Sequence, residues 1–378
     1  MTTPHTATTP AEDDGGADQP GGHRPGGGRV EGGREAGRHD AGGREAGGRE
    51  ADREAGGPAR GHVPGGAGPE RLPLNTFAIG FGLAGLAEVW TNAAPALGLP
   101  RAVPQAFWAI AAIAWCWLIV AHAVRGARSS TSLAQQLHHP AQGSLASLAP
   151  VTAMLLAGDL ATYSLGAGRA FFLLALLVST VFAAWRLASW FEGQLNFESM
   201  HPGYLLPTVA PGLVGASSAA GVGFRGLAWA LFGVGIFFTV IMTAILVLRL
   251  AFHAPLADPL LPTTAILVAP PAVAGIAWFA LNGRVVDAVA EATAGVGVLL
   301  VLVQVAMLPR YRRLHFSLGF WSFTFPFAAA VAWTEEWLEI EAMPGRRVAT
   351  GVLAVLMTAF IAAIAVESLR LVTRRPGR

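Results

Sequence analysis

Long apolar runs follow one another from residue 71 to the C-terminus, and short polar joints separate them. A helix needs roughly 20 apolar residues to cross the hydrocarbon layer of a membrane. Closed helices also satisfy the backbone polar groups that lipid cannot. We therefore predict an all-α membrane protein with ten transmembrane helices. The predicted spans are 76–96, 104–124, 144–165, 169–191, 203–221, 226–251, 263–282, 285–308, 315–334 and 347–372.

Residues 1–70 show the opposite pattern, because they contain almost no bulky apolar side chains. Gly, Arg, Glu and Ala dominate this tail, and Gly-Gly-Arg-Glu-Ala occurs at 42–46 and again at 47–51. Such a segment cannot bury enough apolar surface to offset the entropy of ordering it, so we predict a disordered tail. It lacks the apolar core of a secretory signal. The predicted organisation is a tail, 1–70, before a transmembrane domain, 71–378.

Composition excludes several classes of protein. A chain that is 53% hydrophobic and 13% charged rarely forms a water-soluble globule. The single cysteine, Cys116, permits no intramolecular disulfide, and the absence of lysine excludes a P-loop. No fixed-spacing cluster of metal ligands occurs, and the arginines are explained by membrane orientation rather than by nucleic-acid binding. We expect no enzyme activity, no cofactor and no bound metal.

The arginines of the joints indicate an orientation. With the N-terminus in the cytoplasm, eleven arginines lie in the inner joints and ends, and six lie in the outer joints. This asymmetry follows the positive-inside preference, and it supports an even number of spans with both termini in the cytoplasm. We expect a multi-pass protein of the cell membrane, the plasma or inner membrane. The inner arginines are Arg71, Arg125, Arg128, Arg249, Arg310, Arg312, Arg313, Arg370, Arg374, Arg375 and Arg378.

Prolines divide the spans into two classes. They fall inside odd spans, at Pro150, Pro211, Pro270 and Pro326, in steps of 61, 59 and 56 residues that match one helical hairpin. The interiors of the even spans have none. Because proline kinks a helix and kinked backbone is tolerated around a water-filled cavity, we predict five helical hairpins whose odd helices line a central pore. The alternative is that proline and glycine are simply common in membrane helices.

The first odd span has no interior proline. Its Gly80, Gly82 and Gly85 offer either a bend or a close approach by another helix instead.

Several anchored strings resemble the tellurite-resistance/dicarboxylate transporter family, which includes TehA-type proteins and the plant guard-cell slow anion channels. The opening string has Pro73, Phe77, Gly82-Leu83-Ala84-Gly85-Leu86-Ala87 and Trp90. Further strings are Met154-Leu155 with Gly158-Asp159, His201-Pro202 with Tyr204-Leu205-Leu206-Pro207, Leu227-Ala228-Trp229 with Leu231-Phe232-Gly233, Ala269-Pro270 with Leu281-Asn282, and Trp321-Ser322-Phe323-Thr324-Phe325-Pro326. Together they cover nearly all of residues 72–372.

The resemblance implies five hairpins, a pore lined by the odd helices, and a homotrimer with one pore per protomer. It also implies that a phenylalanine blocks the pore midway, and Phe325 occupies the matching position. Phe77 belongs to the same predicted set of pore-lining residues. Ordinary aromatic packing is the alternative for Phe325, whereas a ring in a narrow apolar bore would exclude hydrated ions until it rotates away.

Ionisable residues inside or near the ends of spans are costly unless they have a partner or a water path. Asp159 and Arg186 are interpreted as a charge pair that joins the third and fourth helices. Glu88 departs from the family pattern, and three interpretations stay open: a protonated acid, a group at the outer mouth, or a site that couples protons to transport.

Histidines precede two odd spans. His138, His139 and His201 lie at the predicted cytoplasmic ends of these spans, where an inner vestibule would use them to attract anions or sense pH. Interfacial caps or loop contacts are the commoner role.

The sequence therefore predicts the passage of small inorganic or organic anions through a weakly positive, largely apolar bore surrounded by membrane lipid. Two other functions stay open. One is a proton-coupled carrier for a dicarboxylate, sulfite or another monoanion, with Glu88 or a histidine as the proton site. The other is a receptor or scaffold that transports nothing.

Overall fold

The computed structural model describes residues 70–373, and every regular element within them is a helix. Seven segments there are long and apolar enough to cross a membrane, which confirms the predicted all-α membrane class. Apart from Glu70, the predicted disordered tail lies outside the described residues. The α-helices are α1 (Phe77–Leu97), α2 (Ala102–Ala127), α3 (Leu133–His138), α4 (Leu148–Tyr163), α5 (Leu165–Phe191), α6 (Val209–Gly221), α7 (Arg225–Phe252), α8 (Ala269–Asn282), α9 (Ala288–Tyr311), α10 (Thr324–Ile340) and α11 (Arg346–Thr373).

Apart from the short α3, the helices form five consecutive hairpins: α1–α2, α4–α5, α6–α7, α8–α9 and α10–α11. We call the first helix of each hairpin inner and the second outer. Inner helices contact one another in chain order, α1 with α4, α4 with α6, α6 with α8 and α8 with α10. Because α10 also contacts α1, the ring of inner helices closes.

Burial separates the two classes of helix. In its most apolar window, the inner segment Leu261–Asn282 is 78% buried, whereas the outer segment Ala288–Tyr311 is 11% buried. Large apolar side chains on all five outer helices are exposed, such as Trp117, Phe237 and Leu356. Exposed apolar surface of this extent is what hydrocarbon requires of a membrane-spanning helix. The prediction of inner odd helices and outer even helices is confirmed.

A 3-10 segment precedes every inner helix. The predicted prolines lie at the second or third residue of the α-helix that follows, as Pro150 does in α4 and Pro326 does in α10. Proline has no N–H to donate to the carbonyl groups of the preceding turn, so it interrupts the hydrogen-bond ladder at this junction. The prolines therefore mark a change from 3-10 to α backbone rather than a kink within a continuous α-helix. The 3-10 segments are Leu74–Thr76, Gly143–Ser147, Pro202–Leu205, Leu261–Val268 and Leu318–Phe323.

The glycines of helix α1 allow another inner helix, α10, to approach closely, rather than introducing a bend. A Cβ on Gly82 would overlap the hydroxyl of Thr324, and a Cβ on Gly85 would lie 2.9 Å from the Cβ of Ala328. Two glycines thus let α1 and α10 pack backbone to backbone.

The ninth span ends later than predicted. Helix α10 continues to Ile340, six residues beyond the predicted limit of 334, so Glu335, Glu336 and Glu339 belong to its last turns and not to a joint. These acids therefore lie on an inner helix, facing the end of the ring.

Candidate functional site

Two cavities lie inside the ring of inner helices. The first, which we call the N-terminal chamber, lies where the inner spans begin. The volume that water can occupy in it is about 50 Å³. All five inner spans contribute to its wall, including residues of their 3-10 segments. The lining residues are Asn75, Ala78, Phe81, Leu145, Leu148, Leu205, Leu206, Val209, Ala210, Leu213, Val214, Ile266, Ala269, Pro270, Val273, Trp321, Ser322, Phe325 and Pro326.

The second cavity, the C-terminal chamber, lies further along the same helices, with about 30 Å³ open to water centres. It too is lined from all five inner helices. Its residues are Gly85, Glu88, Leu155, Val214, Ser217, Val273, Ile276, Phe325, Ala329 and Ala332. A water molecule needs roughly 10–15 Å³ by this measure, so each chamber has room for a few waters at most.

Phe325 lines both chambers, as Val214 and Val273 also do. Its ring stacks on that of Phe81, with centroids 3.5 Å apart and planes 16° from parallel. The missing side chain of Gly85 leaves room for the ring, because a Cβ there would lie 3.1 Å from Phe325 Cδ2. We call this stacked pair the plug, and we call the axial region formed by the two chambers the bore.

The bore is largely apolar. Asn75 and Ser322 are the polar side chains that line the N-terminal chamber, and Ser217 and Glu88 are those of the C-terminal chamber. No arginine lines either chamber in the part of the chain that the structure describes. The expectation of a weakly positive bore is therefore wrong for side-chain charge, because the ionisable side chain that lines the chambers, among the residues that the structure describes, is the Glu88 carboxyl.

A third, polar cavity opens at the C-terminal end of the ring. This C-terminal vestibule has about 330 Å³ open to water centres. It combines acids and arginines, and Arg346 Nε lies 3.3 Å from Glu339 Oε2. Glu335 is 3% exposed, and neither of its carboxyl oxygens has a hydrogen-bond partner among the described residues. The vestibule is lined by Thr91, Asn92, Pro95, Ala96, Arg284, Glu335, Glu336, Glu339, Arg346 and Arg347.

Phe77 and two prolines lie away from the chambers. The Phe77 ring stacks on the imidazole of His122 in α2, with centroids 4.2 Å apart, so it packs within the first hairpin. Pro150 and Pro211 are not among the described residues that line either chamber, whereas Pro270 and Pro326 line the N-terminal one. Phe81, one turn beyond Phe77, is the aromatic residue of α1 that faces the bore.

Asp159 and Arg186 do not pair, contrary to the prediction. Asp159 lies near the α4–α5 turn, whereas Arg186 lies near the other end of α5, roughly 25 Å away along the hairpin at 1.5 Å per residue. Arg186 Nη1 donates to the Leu137 carbonyl oxygen at 3.4 Å. Its Cζ also lies 5.5 Å from the ring centroid of Trp185. Arg186 therefore links α5 to α3.

Two of the three predicted vestibule histidines, His139 and His201, act as local caps. Nδ1 of the exposed His139 accepts a hydrogen bond from the Ala141 N–H at 3.1 Å. His201 is fully buried in the connection before α6, and its Nδ1 accepts from the Gly203 N–H at 3.2 Å. Burial lowers the pKa of His201 to about 4, so its ring is neutral at physiological pH. Neither histidine lines a chamber.

Fold and site together define a class: a multi-pass helical membrane protein in which a ring of five helices encloses two small chambers. Residues 71–369 match the family described as voltage-dependent anion channel (SLAC1). Since this match covers most of the chain, the protein belongs to that family. The resemblance found in the sequence motifs is confirmed, and membership places the chain among anion channels and transporters.

The chain is also similar to a tellurite resistance protein TehA homolog of Haemophilus influenzae (strain ATCC 51907 / DSM 11121 / KW20 / Rd). The two are 26% identical over 262 residues, which cover 69% of this chain and 80% of the relative.

Proposed function

We propose that this protein conducts anions across the membrane through the bore, and that Phe325 gates the path. The observation that carries the proposal is the position of the plug, where one ring lines both chambers and stacks on Phe81 at 3.5 Å. An apolar constriction of this kind blocks hydrated ions by excluding water, and rotation of the ring would open it.

Helix orientation supports anions over cations. The 3-10 segments of all five inner spans meet at the N-terminal chamber, so the five helix dipoles direct their positive ends to the same mouth. Each dipole is equivalent to about half a positive charge there. This field attracts an anion without a fixed basic side chain, which suits conduction because tight binding would stop it.

The direct test is anion flux in proteoliposomes that contain the full-length chain. We expect Phe325→Ala to increase flux, because it removes the constriction while the five-helix wall remains. Phe279→Ala is the matched control: it also deletes a buried ring from an inner helix, but that ring packs on Trp337 and not on the bore. Unchanged flux in Phe325→Ala would remove the assignment of the gate. The absence of flux under any gradient, in both the wild type and Phe325→Ala, would favour a receptor or scaffold.

A proton-coupled carrier is the second candidate, favoured by Glu88. This carboxyl lines the C-terminal chamber, which Phe325 also lines. A carboxyl in the path could take up a proton before the anion passes. The reversal potential at a fixed anion gradient distinguishes the two functions when pH is stepped. A potential that follows the proton gradient in the wild type, but not in Glu88→Gln, would establish the carrier.

Substrate and assembly complete the proposal. Chloride, nitrate, sulfite, malate and tellurite form the panel for the flux assay, which includes the C4-dicarboxylate and tellurite suggested by the family.

We propose a homotrimer in the cell membrane with both termini in the cytoplasm. The arginine asymmetry supports this orientation, and mass photometry with protease protection of tagged termini tests both points.

A further inference from the structure

An apolar groove lies on the outside of the ring, between outer helices α9 and α11. About 520 Å³ of it is open to water centres. Its floor is the outward side of the α10 span, where Phe320, Phe323 and Phe327 line it. Leu308 of α9 and Leu356 of α11 form its two walls, and both are exposed on the apolar surface of the protein. The groove is therefore open to the hydrocarbon of the membrane.

The polar groups at the base of the groove already have partners. The Tyr311 hydroxyl donates to Gln304 Oε1 at 2.6 Å, and it lies 2.6 Å from the Thr264 hydroxyl. Gln304 Nε2 donates to the carbonyl oxygen of Thr264. This internal network offers no vacant polar group to a ligand, so an occupant of the groove must be apolar along its length.

One end of the groove is charged. Arg312 lines it just after α9 ends, and Arg310 and Arg313 flank it in the sequence. All three are exposed. Helix α9 ends on the same side as the N-terminal chamber, because α10 begins there after a short connection. A long apolar channel with cations at one end is complementary to an amphiphile that has an apolar chain and an anionic head.

We propose that this groove binds an anionic phospholipid, with an acyl chain along α10 and the headgroup phosphate at Arg312. Basic clusters beside grooves between transmembrane helices are suited to anionic headgroups. A second copy of the chain is the alternative occupant, and the cross-linking experiment below tests it.

The site lies directly behind the plug. Phe323 and Phe327 precede and follow Phe325 by two residues, and their rings are stacked with centroids 6.2 Å apart. The bound chain thus packs on the back of the segment that carries the plug. The lipid site does not depend on the proposed conduction, since binding is measured without flux.

Native mass spectrometry of the full-length protein tests the site. The probes are phosphatidylglycerol and phosphatidylcholine with identical acyl chains. We expect phosphatidylglycerol to bind more tightly, and Arg312→Gln to weaken it about fivefold, the effect of one basic group near a headgroup. Arg128→Gln is the matched control and should have no effect, because Arg128 is an exposed arginine that follows α2 and does not line the groove between α9 and α11.

A second variant tests the groove itself. Leu356→Trp fills the channel while leaving the arginines in place, and we expect it to reduce binding of both lipids. Thermal unfolding checks that each variant is folded. Equal affinity for the two lipids, or no response to either variant, would overturn the proposal. So would a covalent dimer formed through Leu356→Cys in a Cys116→Ser background, because it would show that a second copy covers the groove.

Discussion

The plug can be examined from its partner, Phe81, which no sequence motif marks. Removing this ring by Phe81→Ala leaves Phe325 in place but takes away its stacking partner. A stacked aromatic pair contributes about 0.5–1.5 kcal/mol beyond its burial. If opening requires the pair to separate, loss of the stack makes opening about two- to twelvefold more probable, since 1.4 kcal/mol corresponds to a factor of ten. Anion flux in Phe81→Ala should rise by that factor.

The double variant separates a stacking effect from a general loosening of α1. In a Phe325→Ala background there is no ring to release, so Phe81→Ala should add little to the flux. Non-additivity of this kind is the signature of two residues that act as a pair. Flux measured by the same proteoliposome assay in the four proteins gives the coupling. The same factor in both backgrounds, or no effect in either, would refute the plug as a stacked pair.

Further predictions concern the ring and its connections. Gly82→Ala should push α1 away from Thr324 and lower stability by about 1–3 kcal/mol in thermal unfolding. Gly233→Ala, where a Cβ meets open space, should lack this effect. The pKa of His201 is lowered from 6.5 to about 4 in the folded protein. The free energy of unfolding should therefore be highest above pH 6.5 and fall by about 3 kcal/mol as the pH drops to 4. The melting temperature of His201→Asn should therefore depend less on pH in that range. Tyr311→Phe should cost about 1–3 kcal/mol, because it leaves buried polar partners without a hydroxyl.

The ring of inner helices could be predicted because the sequence repeats its backbone irregularity. The prolines recur at the length of one hairpin, at Pro150, Pro211, Pro270 and Pro326. A repeat of five hairpins has few ways to bury one irregular helix from each, and a closed ring is one of them. The 3-10 segments before each inner helix were not predicted, since apolar periodicity does not distinguish 3-10 from α backbone over a few residues.

Side-chain direction limited the prediction of the site. Phe77 and Phe81 lie one turn apart on α1, and composition alone cannot tell which of them faces the bore; the glycines that bring α1 against α10 decide it. The sequence predicts Asp159 and Arg186 as partners because both are charged residues in one hairpin. Their distances from the α4–α5 turn already place them at opposite ends. That spacing by itself excludes the pair.

Accessibility of two engineered cysteines on either side of Phe325 tests the central claim most directly. Ser322 lines the N-terminal chamber and Ser217 the C-terminal chamber, and both are half-buried. In a Cys116→Ser background, a charged thiol reagent is applied from the N-terminal side of the bore. The reagent should modify Ser322→Cys whether or not Phe325→Ala is present. It should modify Ser217→Cys only when Phe325→Ala is also present. Modification of Ser217→Cys with Phe325 intact, or of neither cysteine in the open form, would contradict a single axial path closed by that ring.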